Sequence, residues 1–247
     1  MSDTRSIPGD ASPSQPVSGA VAPVWHTAGV LLLLFGLVAL SSFLIGAEHF
    51  GHTYSRTVGY VLIVAIEWLI VAFIALGARW GGGSLHDLAG GLSMDWRSLL
   101  RDLGLAVAYL IVANPILGVI AVTLGRLGHP ASQAGVRNLL PHTGLESAAY
   151  LFVALTAGIC EEMIFRGYLQ RQFTAWTRNA TAGILLQGIL FGAAHNYQGS
   201  TMMTVIAVYG CMFGLLALWR KSLRPGIFAH FIQDALVGLV LARYALK

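Results

Sequence analysis

Three short polar clusters interrupt apolar stretches of this sequence: Glu161-Glu162 with Arg166, Phe191 with His195, and His230 with Asp234. In a helix, residues four apart share a face, so each cluster presents its groups together. Glu162 and Arg166, acid first, stand in the favourable order for an internal ion pair. Glu161 points about 100° away, on a stripe with Gly158, Phe165 and Tyr168, and needs a partner from another helix. His195, His230 and Asp234 are the groups available. A carboxylate beside a neutral imidazole can hold water, take its proton and pass it to a leaving amine. A second imidazole can donate to the oxyanion of a tetrahedral intermediate. Glu161, His195, His230 and Asp234 are equally a donor set for a divalent metal, zinc foremost. The HExxH spacing is absent, so a metal-bound and a metal-free water both remain open.

The elements that must position these groups are membrane helices. The chain has 247 residues, 56% hydrophobic and 11% charged, with a mean hydropathy of +0.69. That composition lies far outside the soluble globular range. An ionised side chain at the centre of a span costs about 2.5 to 3.5 kcal/mol, so Glu161, Glu162 and Arg166 together cost on the order of 8 to 10 kcal/mol. Each Leu, Ile, Phe or Val returns only about 0.3 to 0.6 kcal/mol. The span that carries the three is marginal alone and requires polar partners. The formal charge of +4 gives no nucleic-acid signal, because the bases flank apolar runs and read as topology signals. Cys160 and Cys211 both lie in apolar runs and imply no disulfide; Cys160, beside two carboxylates, is a poor nucleophile.

The expected architecture is all-α: a polytopic membrane helix bundle of about seven spans. Residues 1–24, rich in Ser, Pro, Gly and Ala, read as a disordered tail, and 25–247 as a single transmembrane helical domain with its catalytic core in 146–241. The spans fall at about 25–47, 57–78, 103–124, 147–170, 180–195, 202–219 and 225–241. Glu67 lies near the middle of the second, either in a buried polar site or in a structural pair. Asn114-Pro115 is expected to kink the third. The Gly-rich segment before that span carries an amphipathic stretch, 92–103, expected as an in-plane interfacial helix; if it crossed, it would be an eighth span. Residues 171–179 read as a short basic connection. Alternate connections hold nine Lys and Arg against five, which predicts a cytoplasmic N-terminus and an external C-terminus. Depth along the helices separates His195 from His230, so the fifth helix is expected to start well above the membrane.

A Glu-Arg pair four apart most often only allows a helix to insert, and Glu162 with Arg166 is read mainly that way. A lone histidine in an apolar run, such as His26, is read as hydrogen-bonded core. Glu161, His195 and His230, converging from three helices, are read as functional because such groups are expensive in lipid. Asp234 either joins them or orients His230.

The three clusters, in order, look like the EExxxR, FxxxH and HxxxN/D motifs, and the region 146–241 resembles the CPBP family (CAAX protease and bacteriocin-processing, Abi) of intramembrane proteases. The resemblance implies a helical membrane endopeptidase with a cavity opening to the cytoplasmic side. Glu161 with His195 would activate the hydrolytic water, His230 and Asp234 would form the oxyanion side, and Glu162, Arg166 and Phe191 would support the site. CAAX-prenyl endopeptidases carry Asn in the last motif where this chain has Asp234, and an ionised Asp cannot donate to an oxyanion. Either Asp234 is protonated, or it orients His230, or a metal is bound.

The expected partners are a peptide or protein substrate at the membrane and the lipid bilayer, with no nucleic acid and with the oligomeric state open. The expected location is a bacterial inner membrane. A proton- or cation-coupled transporter using Glu67, Glu161, His195 and His230 is the main competing reading. A non-catalytic immunity or scaffold protein on the same fold is a third.

Overall fold

The computed structural model describes residues 19–46, 56–90, 95–129 and 139–245. The described residues form an α-helical bundle: α1 (Val24–Gly46), α2 (Arg56–Trp80), the short α3 (Leu85–Ala89), α4 (Trp96–Arg126), α5 (Gly144–Glu161), a π-helical segment (Glu162–Leu169), α6 (Gln170–Thr177), α7 (Ala180–Ala194), α8 (Gly199–Arg220) and α9 (Arg224–Ala245). Each of the seven expected spans coincides with one of these helical stretches. Four of the stretches, 56–80, 96–126, 144–177 and 196–220, are long and apolar enough to cross a membrane. The expected tail, 1–24, lies mostly outside the described residues, but Val21 and Ala22 are already held: their backbone N–H groups donate to Gln172 Oε1 at 2.7 and 3.1 Å.

Two expectations are corrected. The amphipathic stretch before the third span is not a separate in-plane helix; from Trp96 onward it forms the first turns of α4, which runs unbroken through Pro115 to Arg126. Asp95 caps it, accepting from Ser98 N at 3.1 Å, and Asp102 is drawn inward by Arg220 and Arg224. Residues 92–94 lie outside the described residues. The basic connection expected over 171–179 is likewise mostly helical. The helix entered at Gly144 continues to Thr177, and Arg178, in left-handed conformation (φ 54°), and Asn179 separate it from α7. Asn179 then caps α7, accepting from Thr181 N and Ala182 N.

Close approach of helices is arranged by glycines. A Cβ on Gly158 of α5 would stand 3.2 Å from Ile227 O and Phe231 N of α9. Gly192 of α7 lies against the backbone of Met203 and Ala207 in α8, so small residues beside Phe191 do let these two helices approach. α5 packs between α2 and α9, and α7 packs against α6 and α8. The helix carrying the two glutamates is thereby enclosed on several sides.

Candidate active site

The π-helical segment begins at Glu162, one residue after α5 ends at Glu161. All eight of its residues are buried. Wider turns of this kind close i→i+5 hydrogen bonds and occur often at functional sites. Here the change of period falls between the two adjacent carboxylates.

Glu162 faces the bundle interior. Its Oε1 lies 2.9 Å from Arg166 Nη1, with both side chains fully buried. The guanidinium stands over the rings of Phe191 at 4.3 Å and Phe213 at 4.9 Å, and its Nη2 donates to Gly210 O at 3.2 Å. Aromatic faces stabilise a cation that has lost water, so the pair expected from the spacing is embedded in a built cradle. Gly226 leaves room for the carboxylate, since a Cβ there would stand 2.8 Å from Glu162 Oε2.

His230 of α9 joins the two glutamates. Its Nδ1 is 3.3 Å from Glu162 Oε1, and its Nε2 is 3.5 Å from Glu161 Oε2 and 3.6 Å from Asp234 Oδ2. Side-chain exposure rises from 6% at His230 to 19% at Glu161 and 37% at Asp234, so the site opens on the Asp234 side. His230 stacks on Phe213, with ring centroids 5.4 Å apart.

His195 caps the end of α7, where its Nδ1 donates to Phe191 O at 2.8 Å. That bond leaves Nε2 of a neutral imidazole as an acceptor. The rings of His195 and His230 lie 4.8 and 6.0 Å from the ring of Phe191. Phe191 thus stands between the two histidines that depth along the helices separated. Among the described residues no hydrogen bond or ion pair joins Glu161 to His195; the imidazole beside Glu161 is His230. His195 is within electrostatic reach of Asp234.

Sequence reasoning left Glu67 undecided, and the structure brings it to this site. Its Oε2 is buried without a hydrogen-bond partner, within electrostatic reach of Glu161, His230 and Asp234. The signal for it is the one that marked Glu161, a carboxylate in the middle of an apolar run. Tyr150 and Gln233 were not anticipated. Tyr150 OH donates to Asp234 O at 3.3 Å, and Asn114 Nδ2 donates to Gln233 Oε1 at 3.0 Å, tying α4 to α9 one residue before Asp234. Neither has a signal in a single sequence. Among the described residues no three His, Cys, Asp or Glu side chains are arranged to hold a metal ion.

Residues 143–236 match a family model described as type II CAAX prenyl endopeptidase Rce1-like. A segment of 87 residues is 33% identical to a Bacillus subtilis (strain 168) protein named Uncharacterized protein YpbD; the match covers 34% of this chain and 41% of that protein. No solved structure matches the chain. The matched region begins at the cap of α5 and ends two residues beyond Asp234, so the similarity to that family encloses all three clusters.

Proposed function

We propose that the protein is an intramembrane endopeptidase that hydrolyses a peptide bond of a membrane-associated substrate. The observation that carries this reading is the approach of His230 Nε2 to Glu161 Oε2, 3.5 Å across two helices, inside a segment matching the type II CAAX prenyl endopeptidase family. Glu161 is the part-exposed carboxylate of the adjacent pair, and Glu162 is taken by Arg166. In this reading Glu161 takes a proton from a water molecule that His195 Nε2 helps to hold, and the oxygen adds to the scissile carbonyl. His230, protonated on both ring nitrogens, directs Nε2–H at the oxyanion while its Nδ1–H faces Glu162 Oε1 at 3.3 Å. The proton held on Glu161 then passes to the amine as the C–N bond breaks.

Asp234 is a positioning residue in this scheme. Its carboxylate lies 3.6 Å from His230 Nε2, an arrangement suited to orienting the imidazole. A divalent cation would draw on Glu161, His195, His230 and Asp234, and among the described residues these side chains are not arranged as a donor set.

The test is cleavage of a membrane-tethered peptide by purified protein carrying Glu161→Gln. Cleavage falls by at least about a hundredfold, the usual loss on removing a general base, while the variant elutes and melts as wild type does. A variant that folds and still cleaves overturns the assignment. Substrate flux in liposomes that depends on Glu161, without cleavage, would support the transporter in its place.

A further inference from the structure

Away from the site, at the end of the bundle where α4 begins, α8 ends and α9 begins, three guanidiniums surround one carboxylate. Asp102 is fully buried. Arg220 Nη2 reaches its Oδ1 at 2.7 Å, and Arg224 Nη2 and Nε reach its Oδ2 at 2.5 and 2.6 Å. Arg101 Nε stands 3.6 Å from Oδ1 with its side chain 58% exposed. This cluster staples three helices through one buried carboxylate, and the Arg101 and Arg220 guanidiniums extend outward from it, with side chains 58% and 20% exposed. Arg220 Nε, buried, has no hydrogen-bond partner among the described residues.

An apolar groove of about 420 Å³ starts one helical turn from this cluster, between α4 and α8. Leu105, Ala108 and Tyr109 line it on one side, and Met212, Leu215 and Trp219 on the other. Leu105 follows Asp102 by three residues, and Trp219 immediately precedes Arg220, so groove and cations are continuous along both helices. Trp219 is largely exposed, as expected of a tryptophan at the level of lipid headgroups.

We infer that this junction of α4, α8 and α9 is a binding site for an anionic phospholipid, with the phosphate on Arg101 and Arg220 and one acyl chain in the groove. Arginine offers a planar fork of donors matched to phosphate oxygens, and basic pockets between membrane helices take anionic headgroups. Charge complementarity selects the headgroup, and the apolar lining accepts the chain. The site lies apart from the proposed peptidase site: among the described residues no hydrogen bond, ion pair or ring contact joins Arg101, Arg220 or the groove residues to Glu161, His195 or His230.

The experiment uses delipidated full-length protein in neutral detergent, to which phosphatidylglycerol or phosphatidylcholine is added while melting temperature and lipid retention by native mass spectrometry are followed. Phosphatidylglycerol is expected to be retained, and to raise the melting temperature, at lower concentration than phosphatidylcholine. Arg101→Gln weakens that preference about fivefold, the worth of one basic residue near an anionic headgroup, and Arg101→Lys retains most of it. Asp102 keeps Arg220 and Arg224 in the first variant, so its fold is preserved, and an unchanged melting temperature without lipid checks this. Ala108→Trp, which fills the groove from an exposed position, lowers retention of both lipids. Equal retention of the two lipids by wild type overturns the site, as does an Arg101→Gln variant with undiminished preference. Inorganic phosphate reproducing the full effect reduces the site to a free-anion site, and an uncharged isoprenoid alcohol binding as tightly as phosphatidylglycerol removes the headgroup from it; either result also overturns the proposal.

Discussion

His230 Nδ1 stands 3.3 Å from Glu162 Oε1, so the imidazole is held through the nitrogen that faces away from Glu161. The same Glu162 oxygen lies 2.9 Å from Arg166. One carboxylate therefore anchors both the buried cation and the histidine.

Breaking that anchor should destabilise the whole bundle. Glu162→Gln leaves the Arg166 guanidinium buried without a counter-charge, which costs about 3 to 5 kcal/mol. The double variant with Arg166→Met recovers much of the loss, because no charge is then left buried. Unfolding in mixed detergent micelles, followed by circular dichroism, measures both; a single variant as stable as wild type would contradict the buried pair.

Asp234 separates two roles by chemistry. Asn keeps an oxygen that can orient His230, so Asp234→Asn retains cleavage within about tenfold of wild type. Asp234→Ala removes the oxygen that stands 3.6 Å from His230 Nε2 and lowers kcat by about a hundredfold, the scale of a lost oxyanion-site donor. Steady-state kinetics on one peptide decide it, and equal losses in the two variants would show that the carboxylate charge itself is required.

Gly158 sets the distance between the helices that carry Glu161 and His230. A Cβ there already meets Ile227 O and Phe231 N at 3.2 Å, so Gly158→Leu must push α9 away from α5. Cleavage falls by about a hundredfold, as expected when catalytic groups move by about 1 Å, and the loss is larger in kcat than in KM. A Leu variant with wild-type kcat would show that these helices do not need this approach.

Removal of metal offers an independent check. If Glu161 alone activates the water, as in the proposed scheme, cleavage survives dialysis against a strong chelator with less than about a twofold change, a difference of under half a kcal/mol. Loss of activity restored by zinc would mean that Glu161, His195, His230 and Asp234 rearrange around the ion.

Where interactions were local, the sequence was readable. The Glu162–Arg166 pair follows from spacing on one helix, and the seven helical stretches follow from apolar runs of sufficient length. The structure departs from those expectations where distant segments decide. Residues 170–177 stay helical because Gln170 and Gln172 find acceptors in Gly214 O and Ala22 O, far away in sequence. The start of α4 turns inward because Asp102 meets Arg220 and Arg224 from two later helices. The motif resemblance pairs Glu161 with His195, yet the imidazole beside it is His230, a choice made by the packing of α5 on α9 through Gly158. Glu67 could be flagged as expensive but not placed, because nothing in one sequence tells which helix α2 packs against.

The π-helical segment gives the two halves of its long helix independent phases. Upstream, the repeat is set by contacts with α2 and α9; downstream, Gln170 and Gln172 are fixed by α8 and the residues before α1. An ordinary α-helix would force one rotational setting on both ends, and satisfying one would misalign the other. The wider turns act as a compensator, absorbing about one residue of mismatch. Deleting a single residue within Glu162–Leu169 would leave a continuous helix while rotating Glu161 by about 100° relative to the downstream anchor. The angular setting of the proposed base is thus stored in the count of residues across two turns, not in any one side chain.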